Sequence, residues 1–355
     1  MKIGVPKEIK TLEGRVGLIP AACADLIQQG HDVWVQAGAG ELSGYSDGDY
    51  INQGVKIATD AATLYNAAQL IVKVKEPLAG DLQHLKKNHL LFCFLHLAAN
   101  AVLAKQLCQI GLTAVAFETV TDQYGQLPLL APMSDIAGRL SVQIGTHLLH
   151  SPQGGRGLML GGMALTDRGR VVVLGAGRAG GAAARLASDL GAQVTVFDKN
   201  PARLEALHAY SANIAALYAY QQTIARAVAK ADLLIGAVLL PGLHAPRLVT
   251  TDMVKTMQAG SVVIDIAVDQ GGCVETIRAT DYAAPTYVQH GVVHFGVTNM
   301  PGAVPRTSSQ ALSAVLTPYV QRMASAGWAL EKDLQQGINI RDGKIDNPLI
   351  EQALA

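Results

Sequence analysis

Aromatic residues are scarce in this chain of 355, at 5%, and neither sign of charge dominates, with 28 Lys plus Arg against 28 Asp plus Glu. A balanced chain lacks the electrostatic footprint that nucleic acid or an anionic membrane would select. Cysteine is sparse too. Cys23, Cys93, Cys108 and Cys273 are scattered with no CxxC pair, which argues against a disulfide framework and for a reducing compartment. The N-terminal MKIGVPKEIK has no uninterrupted apolar run, so no secretory signal is visible. The charge-free stretch 206–225 carries His208, Ser211, Asn213, two glutamines and Thr223, too polar a set to span a bilayer. No GxSxG elbow and no P-loop occurs. What is abundant is aliphatic side chain and glycine: half the residues are hydrophobic and 36 are glycine. That is the profile of a large aliphatic core with many tight turns. At roughly 150 residues per domain, the length suggests two domains. The expectation is a soluble, cytoplasmic, two-domain protein.

Short apolar runs alternate with helical patterns. KIGVP (2–6), DVWVQA (32–37), LIVKV (70–74), HLLFCFL (89–95) and TAVAFETV (113–120) read as strands. The near-continuous apolar character of HLLFCFL fits a strand covered on both faces of a parallel sheet. Helix-like segments such as IPAACADLIQQG lie between them, with Pro20 in the first turn and Gly30 as the stop. A long helix is expected over 134–150 with Ser134 as N-cap. Glycine-rich loops at 154–157 and 161–162 follow. RVVVLGAG, AQVTVFD, DLLIGAV, SVVIDIAV and VVHFGVTN then open a second strand series, and another long helix is expected over 308–327. The fold class is α/β: two doubly wound, Rossmann-like domains joined by long helices. The second, dinucleotide-binding domain (131–302) is inserted in the first (1–130 and 303–355).

The strongest local signal is VVVLGAGRAGGAAARLASDLGAQVTVFD, residues 171–198. GxGxxG alone is weak, but strand, glycines, helix, second strand and terminal acid occur here in order. Gly175 permits the tight turn, Gly177 admits a pyrophosphate close to the backbone, and Gly180 lets helix and strand pack. The helix N-terminus offers free N–H groups and a positive dipole end. Asp198 would accept hydrogen bonds from ribose hydroxyls and repel a 2′-phosphate, favouring NAD over NADP, although Lys199 and Arg203 stand nearby.

Ligands of open α/β sheets bind outside the carboxyl ends of strands. The polar residues there are Lys75 after LIVKV, His96 after HLLFCFL and Asp269 after SVVIDIAV, with Arg15 in the connection after the first strand. Arg15 and Lys75 suit a carboxylate, His96 suits proton transfer near neutral pH, and Asp269 could orient a water or stabilise a cationic imine. Together they fit dehydrogenation of a small amino or hydroxy acid. Each also has a structural reading: a satisfied histidine, a turn-capping aspartate before Gly271-Gly272, two surface cations. His147 with His150, three apart on a helix, and His290 with His294, on one face of a strand, lack a third ligand at a metal spacing, and no metal site is expected.

The combined motifs are more specific. GVPKEIKTLEGRVGLIPA (4–21), QAGAG (36–40), VKVKEP (72–77), FLHLA (94–98), LPLLAPMSDIAGRLS (127–141), QGGRG (153–157), the GAGRAG loop, IGAVLLPG (235–242), DIAVDQGGC (265–273) and VTNMPGAVPRTSS (297–309) resemble the alanine dehydrogenase family, which includes the NAD-binding domain of proton-translocating transhydrogenase. The resemblance covers nearly the whole chain. It implies NAD-dependent, reversible oxidative deamination of L-alanine to pyruvate and ammonium, in a homohexamer whose domains close on one another. It implies Arg15 and Lys75 as substrate-binding residues and His96 and Asp269 as catalytic ones. It places Ser134 and Arg178 at the cofactor phosphates and Asp198 and Arg203 at the adenosine. Val238, Leu239, Ile266, Ala267, Val268, Asp269, Arg278, Val297, Thr298, Asn299 and Met300 would line the rest of the cofactor cleft. The chain departs from the family at Ala219, where a serine is common, and at Gly14, where a bulkier residue is common. The alternatives are a dehydrogenase of another small amino acid and a non-catalytic NAD(H)-binding subunit of the transhydrogenase type. The latter branch lacks the FLHLA histidine that this chain carries at His96.

Overall fold

The chain first lays down six parallel strands: β1 (Lys2–Val5), β2 (Asp32–Gln36), β3 (Lys56–Ala58), β4 (Leu70–Val72), β5 (Leu90–Cys93) and β6 (Thr113–Ala116). The computed structural model describes residues 1–238 and 245–354. A second series follows: β7 (Arg170–Leu174), β8 (Gln193–Asp198), β9 (Ile214–Tyr218), β10 (Leu233–Gly236), β11 (Val262–Asp265), β12 (Thr286–Gln289) and β13 (Val292–Phe295), and then β14 (Ile338–Arg341) and β15 (Lys344–Ile345). The chain divides into two compact units, Met1–Met133 with Gly302–Ala355, and Ser134–Pro301.

Both sheets are doubly wound. The first runs β15-β14-β6-β5-β4-β1-β2-β3 and the second β12-β13-β11-β10-β7-β8-β9. Six strands in each follow the order 3-2-1-4-5-6 and pair in parallel, which bears out the α/β expectation. Each sheet then gains antiparallel edge strands: β14 on β6 with β15 beyond it, and β12 on β13. All four β5 residues are buried, as a centrally placed parallel strand requires. The apolar side chains of β4, β5 and β6 pack with Leu64, Leu103 and Leu107 in one core, and those of β7, β10 and β11 with Ile224 and Val254 in the other.

Several boundaries differ from the expectation. The first long helix spans Ala131–Leu148, so Ser134 sits inside its first turn and is no N-cap. Pro132 explains the early start, since a proline near the N-terminus sacrifices only an N–H that lacks an intrahelical partner anyway. The second long helix is Pro305–Met323, again opened by proline. TAVAFETV stops being strand at Ala116 and turns into the 3₁₀ segment Phe117–Thr119. His290 and His294 do not share a strand face. His290 lies in the β12–β13 turn at φ +54°, whereas His294 is buried in β13, bonded to Thr276 Oγ1 at 2.7 Å and the Val292 carbonyl at 2.9 Å. Strands β3, β9, β12, β14 and β15 are short or at sheet edges, where the apolar periodicity is weakest, and sequence reading passed over them.

Candidate active site

In a 3-2-1-4-5-6 sheet the crevice opens at the carboxyl ends of the first and fourth strands. In the first unit these are β1 and β4, and the chain beyond them carries Arg15 and Lys75. His96 follows β5, the next strand along. In the second unit they are β7 and β10, followed by the glycine loop and Val238, with Asp269 beyond β11. Leu239 lies outside the described residues.

Arg15 is buried, and Glu13 grips it through Nε at 2.6 Å and Nη2 at 2.5 Å while Nη1 lies 3.3 Å from Met133 Sδ. Burial disfavours the Glu13 carboxylate, but the hydrogen bonds and charge of Arg15 prevail and hold its pKa below the ordinary value. Glu13 thus fixes the plane of the guanidinium. Beneath Lys75 lies a second buried network. Lys73 Nζ stands 3.2 Å from Glu8 and 3.3 Å from Asp81, and Tyr65 donates its hydroxyl to Asp81 at 2.9 Å. The other Glu8 oxygen accepts the amides of Val74 at 2.7 Å and Lys75 at 3.4 Å. Burial first, and then the positive charge of Arg15, hold the Lys75 pKa below the usual lysine value.

That shift has a stability consequence. Below its depressed folded-state pKa, charged Lys75 costs the folded state its full penalty. Between that value and the ordinary lysine pKa the unfolded chain binds more protons than the folded one, so stability rises with pH across the window. Lys75→Met is therefore expected to raise the melting temperature by a few degrees at neutral pH and to flatten the alkaline rise, as read by calorimetry over a pH series. A Lys75→Met variant that melts below wild type at neutral pH would refute this.

His96 is an exposed residue in the left-handed region, φ +50° and ψ +37°. A non-glycine residue there costs roughly 1–2 kcal/mol, and the surroundings hold it. Glu118, on the 3₁₀ segment after β6, accepts the His96 amide at 2.6 Å and the Leu95 amide at 3.2 Å. The Phe94 ring lies parallel to the imidazole, with centroids 5.8 Å apart.

In the second unit Gly175 sits at φ +97°, and a Cβ there would lie 2.6 Å from the Ala237 carbonyl oxygen. At Gly180 a Cβ would fall 1.8 Å from the Gly175 carbonyl oxygen. At Gly177 it would meet only Arg203 Nη1, at 3.8 Å. Two glycines are thus required by packing and the third leaves an open cradle beside two cations, Arg203 and Arg178. Arg178 stands 3.6 Å from Asp135, the neighbour of Ser134. Asp198 accepts the amides of Ala176 at 2.6 Å and Asn200 at 2.8 Å. Those amides occupy two of about four acceptor positions of a carboxylate, leaving capacity for a ribose diol. Ala219 follows β9 and donates its amide to the Asp198 carbonyl at 3.1 Å. The residues present fit a dinucleotide.

Asp269 is exposed on the 3₁₀ segment Val268–Gln270. Its loop is anchored by buried Asp265, which accepts the amides of Ala267 at 3.0 Å, Cys273 at 2.7 Å and Val274 at 3.1 Å. Ile266 is half-buried while Ala267 and Val268 are buried. Arg278 lies over the Tyr287 ring at 4.1 Å. Val297 is bridged to Thr280, Thr298 is exposed, Asn299 has φ +61°, and the Met300 carbonyl accepts the Tyr282 hydroxyl at 3.0 Å. Sequence reading missed the carboxylates behind these residues: Glu8, Glu13, Glu118 and Asp265. Glu8, Glu13 and Asp265 lie inside family motifs, but nothing in their spacing marks them as clamps.

Residues 4–137 match the family described as alanine dehydrogenase/PNT, N-terminal domain, and 141–348 its C-terminal domain. The chain belongs to this family. It is 48% identical to the alanine dehydrogenase of Halomonas elongata over 99% of this chain and 96% of that one. It is 46% identical to that of Bacillus subtilis over 97% and 92%. A solved L-alanine dehydrogenase at 47% identity superposes with a TM-score of 0.96 over all of both chains. A transhydrogenase from Sinorhizobium meliloti, 27% identical, reaches 0.86 over 98% and 99%. As a member of the alanine dehydrogenase/PNT family the chain is an oxidoreductase that uses a nicotinamide cofactor. No helix among the described residues is long and apolar enough to cross a membrane, and all four cysteines are free thiols.

Proposed function

We propose that this chain is an NAD-dependent alanine dehydrogenase, catalysing L-alanine + NAD⁺ + H₂O ⇌ pyruvate + NH₄⁺ + NADH + H⁺. The observation that carries the reading is the arrangement in the first unit, where Arg15 and Lys75 follow the two strands of the switch point and His96 the next strand. When bound, the nicotinamide supplies the hydride chemistry, accepting a hydride from the substrate carbon in one direction and returning it in the other.

The chain's own residues do the rest. Arg15, its plane set by Glu13, and Lys75 bind the substrate carboxylate and carbonyl oxygen. The substrate ammonium gives up a proton before the hydride leaves, and this is the one proton the reaction releases; what remains is a cationic imine. A water adds to its carbon as His96 takes a proton from that water. His96 returns this proton to the amino nitrogen, and the carbinolamine collapses to pyruvate and ammonium. Asp269 stabilises the cationic imine. Ser134, Arg178 and the open face of Gly177 hold the pyrophosphate. Asp198 binds the adenosine ribose, with Arg203 beside it. Val238, Ile266 to Val268, Arg278 and Val297 to Met300 line the nicotinamide side. The domains are 1–130 with 303–355 for substrate and 131–302 for NAD. The enzyme works in the cytoplasm as a homohexamer.

The test is NADH production with a panel of L-amino acids, in wild type and Asp198→Gly. Alanine is expected to be the preferred substrate, with NAD⁺ favoured over NADP⁺ by at least about tenfold and the preference reduced in the variant, because a carboxylate facing a 2′-phosphate opposes its binding. Preference for another amino acid overturns the substrate. Tight NADH binding with no amino-acid oxidation overturns the enzyme reading. Equal use of NADP⁺ by wild type overturns the role of Asp198.

A further inference from the structure

We infer that Glu118 is a positioning residue for His96, acting both as a backbone clamp and as a fixed counter-charge to the imidazole when it carries a proton. The inference rests on the reading of His96 as the proton carrier.

Glu118 and His96 are 22 residues apart and meet because β5 and β6 are parallel neighbours whose chains both turn at their carboxyl ends. Where β5 ends, the amides of Leu95 and His96 lose their ladder partners. An unpaired amide removed from water costs as much as a lost hydrogen bond. Both amides go to the Glu118 carboxylate, the shorter bond being the one at His96. A carboxylate acceptor makes these bonds stronger than a neutral oxygen would, and this offsets the left-handed geometry at His96. That geometry turns the imidazole out from the strand end, and the Phe94 ring fixes its plane. Phe94 is itself held edge-on by Phe117, the residue before Glu118, with centroids 5.0 Å apart.

The carboxylate also lies close to the ring. Glu118 Oε1 is 3.9 Å from His96 Nδ1, too long for a hydrogen bond but close for two opposite charges. The glutamate side chain is 17% exposed and the histidine 45%, so solvent weakens their attraction without abolishing it. In alanine oxidation His96 gains a proton as water adds to the imine. A carboxylate fixed beside the ring stabilises the state in which that proton is held. Glutamine at this position keeps an oxygen for the two amides and removes the charge. Aspartate keeps the charge and shortens the reach.

The experiment compares wild type with Glu118→Gln, Glu118→Asp and His96→Ala, measuring kcat and KM for alanine oxidation, melting temperature and NADH binding by fluorescence. Glu118→Gln is expected to lower kcat about tenfold, with the alanine KM within about threefold and NADH binding unchanged. Glu118→Asp is expected to retain kcat within about threefold even where its melting temperature falls, since the charge remains. A Glu118→Gln enzyme with full kcat, beside an inactive His96→Ala, overturns the counter-charge and leaves the reading of His96 standing. A Glu118→Asp enzyme that loses kcat as Glu118→Gln does also overturns it, including the case in which the glutamine variant fails to fold. An active His96→Ala overturns the underlying reading itself.

Discussion

His96→Ala is expected to lower kcat for alanine oxidation by between about 10² and 10⁴, the span that positioned general acid–base groups contribute, at about 1.4 kcal/mol for each factor of ten. The melting temperature should barely move. His96 is exposed and no side-chain hydrogen bond anchors its ring among the described residues, while alanine meets the same left-handed penalty from its Cβ. NADH binding should also hold, because the glycine loop and Asp198 belong to the other compact unit. Steady-state kinetics with a fluorescence titration separates these quantities. A loss smaller than tenfold would mean that water or another group carries the proton.

The second large effect concerns the glycine loop, where two chemically similar substitutions should behave in opposite ways. Gly180→Ala puts a methyl 1.8 Å from the Gly175 carbonyl oxygen. Both partners are backbone, one in a helix and one in the turn that ends β7, so neither yields as a side-chain tip would. Overpacking costs typically 1–3 kcal/mol, and a clash against fixed backbone belongs at or above the top of that range. A loss of about 3 kcal/mol corresponds to a fall of roughly 6–12 °C for a unit of this size. Gly177→Ala meets only Arg203 Nη1 at 3.8 Å, and its φ of −68° suits alanine. That variant should melt like wild type and bind NADH at least tenfold more weakly, because the methyl stands in the cradle where a pyrophosphate approaches the backbone. Thermal unfolding and NADH titration on the full chain check both. Wild-type NADH affinity in Gly177→Ala would refute the cradle.

The two variants also show why this part of the protein was legible from its sequence. The strand VVVL, the three glycines, the helix and Asp198 lie within 28 consecutive residues, and each role is local: a turn, an open cradle, a close packing, an acid at a strand end. Helix N-terminus physics and the alternation of apolar runs supply the rest. The same locality explains why the strand–helix series, the two doubly wound sheets and the polar residues at strand ends could be read in advance. It also explains the errors. Ser134 and the two histidines 290 and 294 were placed by spacing in segments whose exact ends depend on a proline and on a hairpin turn.

Apolar patterning and motif spacing thus determined the two α/β units, the glycine loop after β7 and the strand ends that carry Arg15, Lys75, His96 and Asp269. Tertiary folding decided what holds those residues in place. Glu8 reaches across 66 residues to the amides at Val74 and 67 to Lys75, Glu118 reaches back 22 to His96, and Asp265 gathers amides up to nine residues away. Asp265, itself the last residue of β11, gathers its own loop, whereas at the ends of β4 and β5 the last amides lose their ladder partners and a carboxylate that follows a neighbouring strand takes them up. Which carboxylate does so depends on which strands are neighbours, and strand order is a property of the folded sheet that no periodicity along the chain encodes.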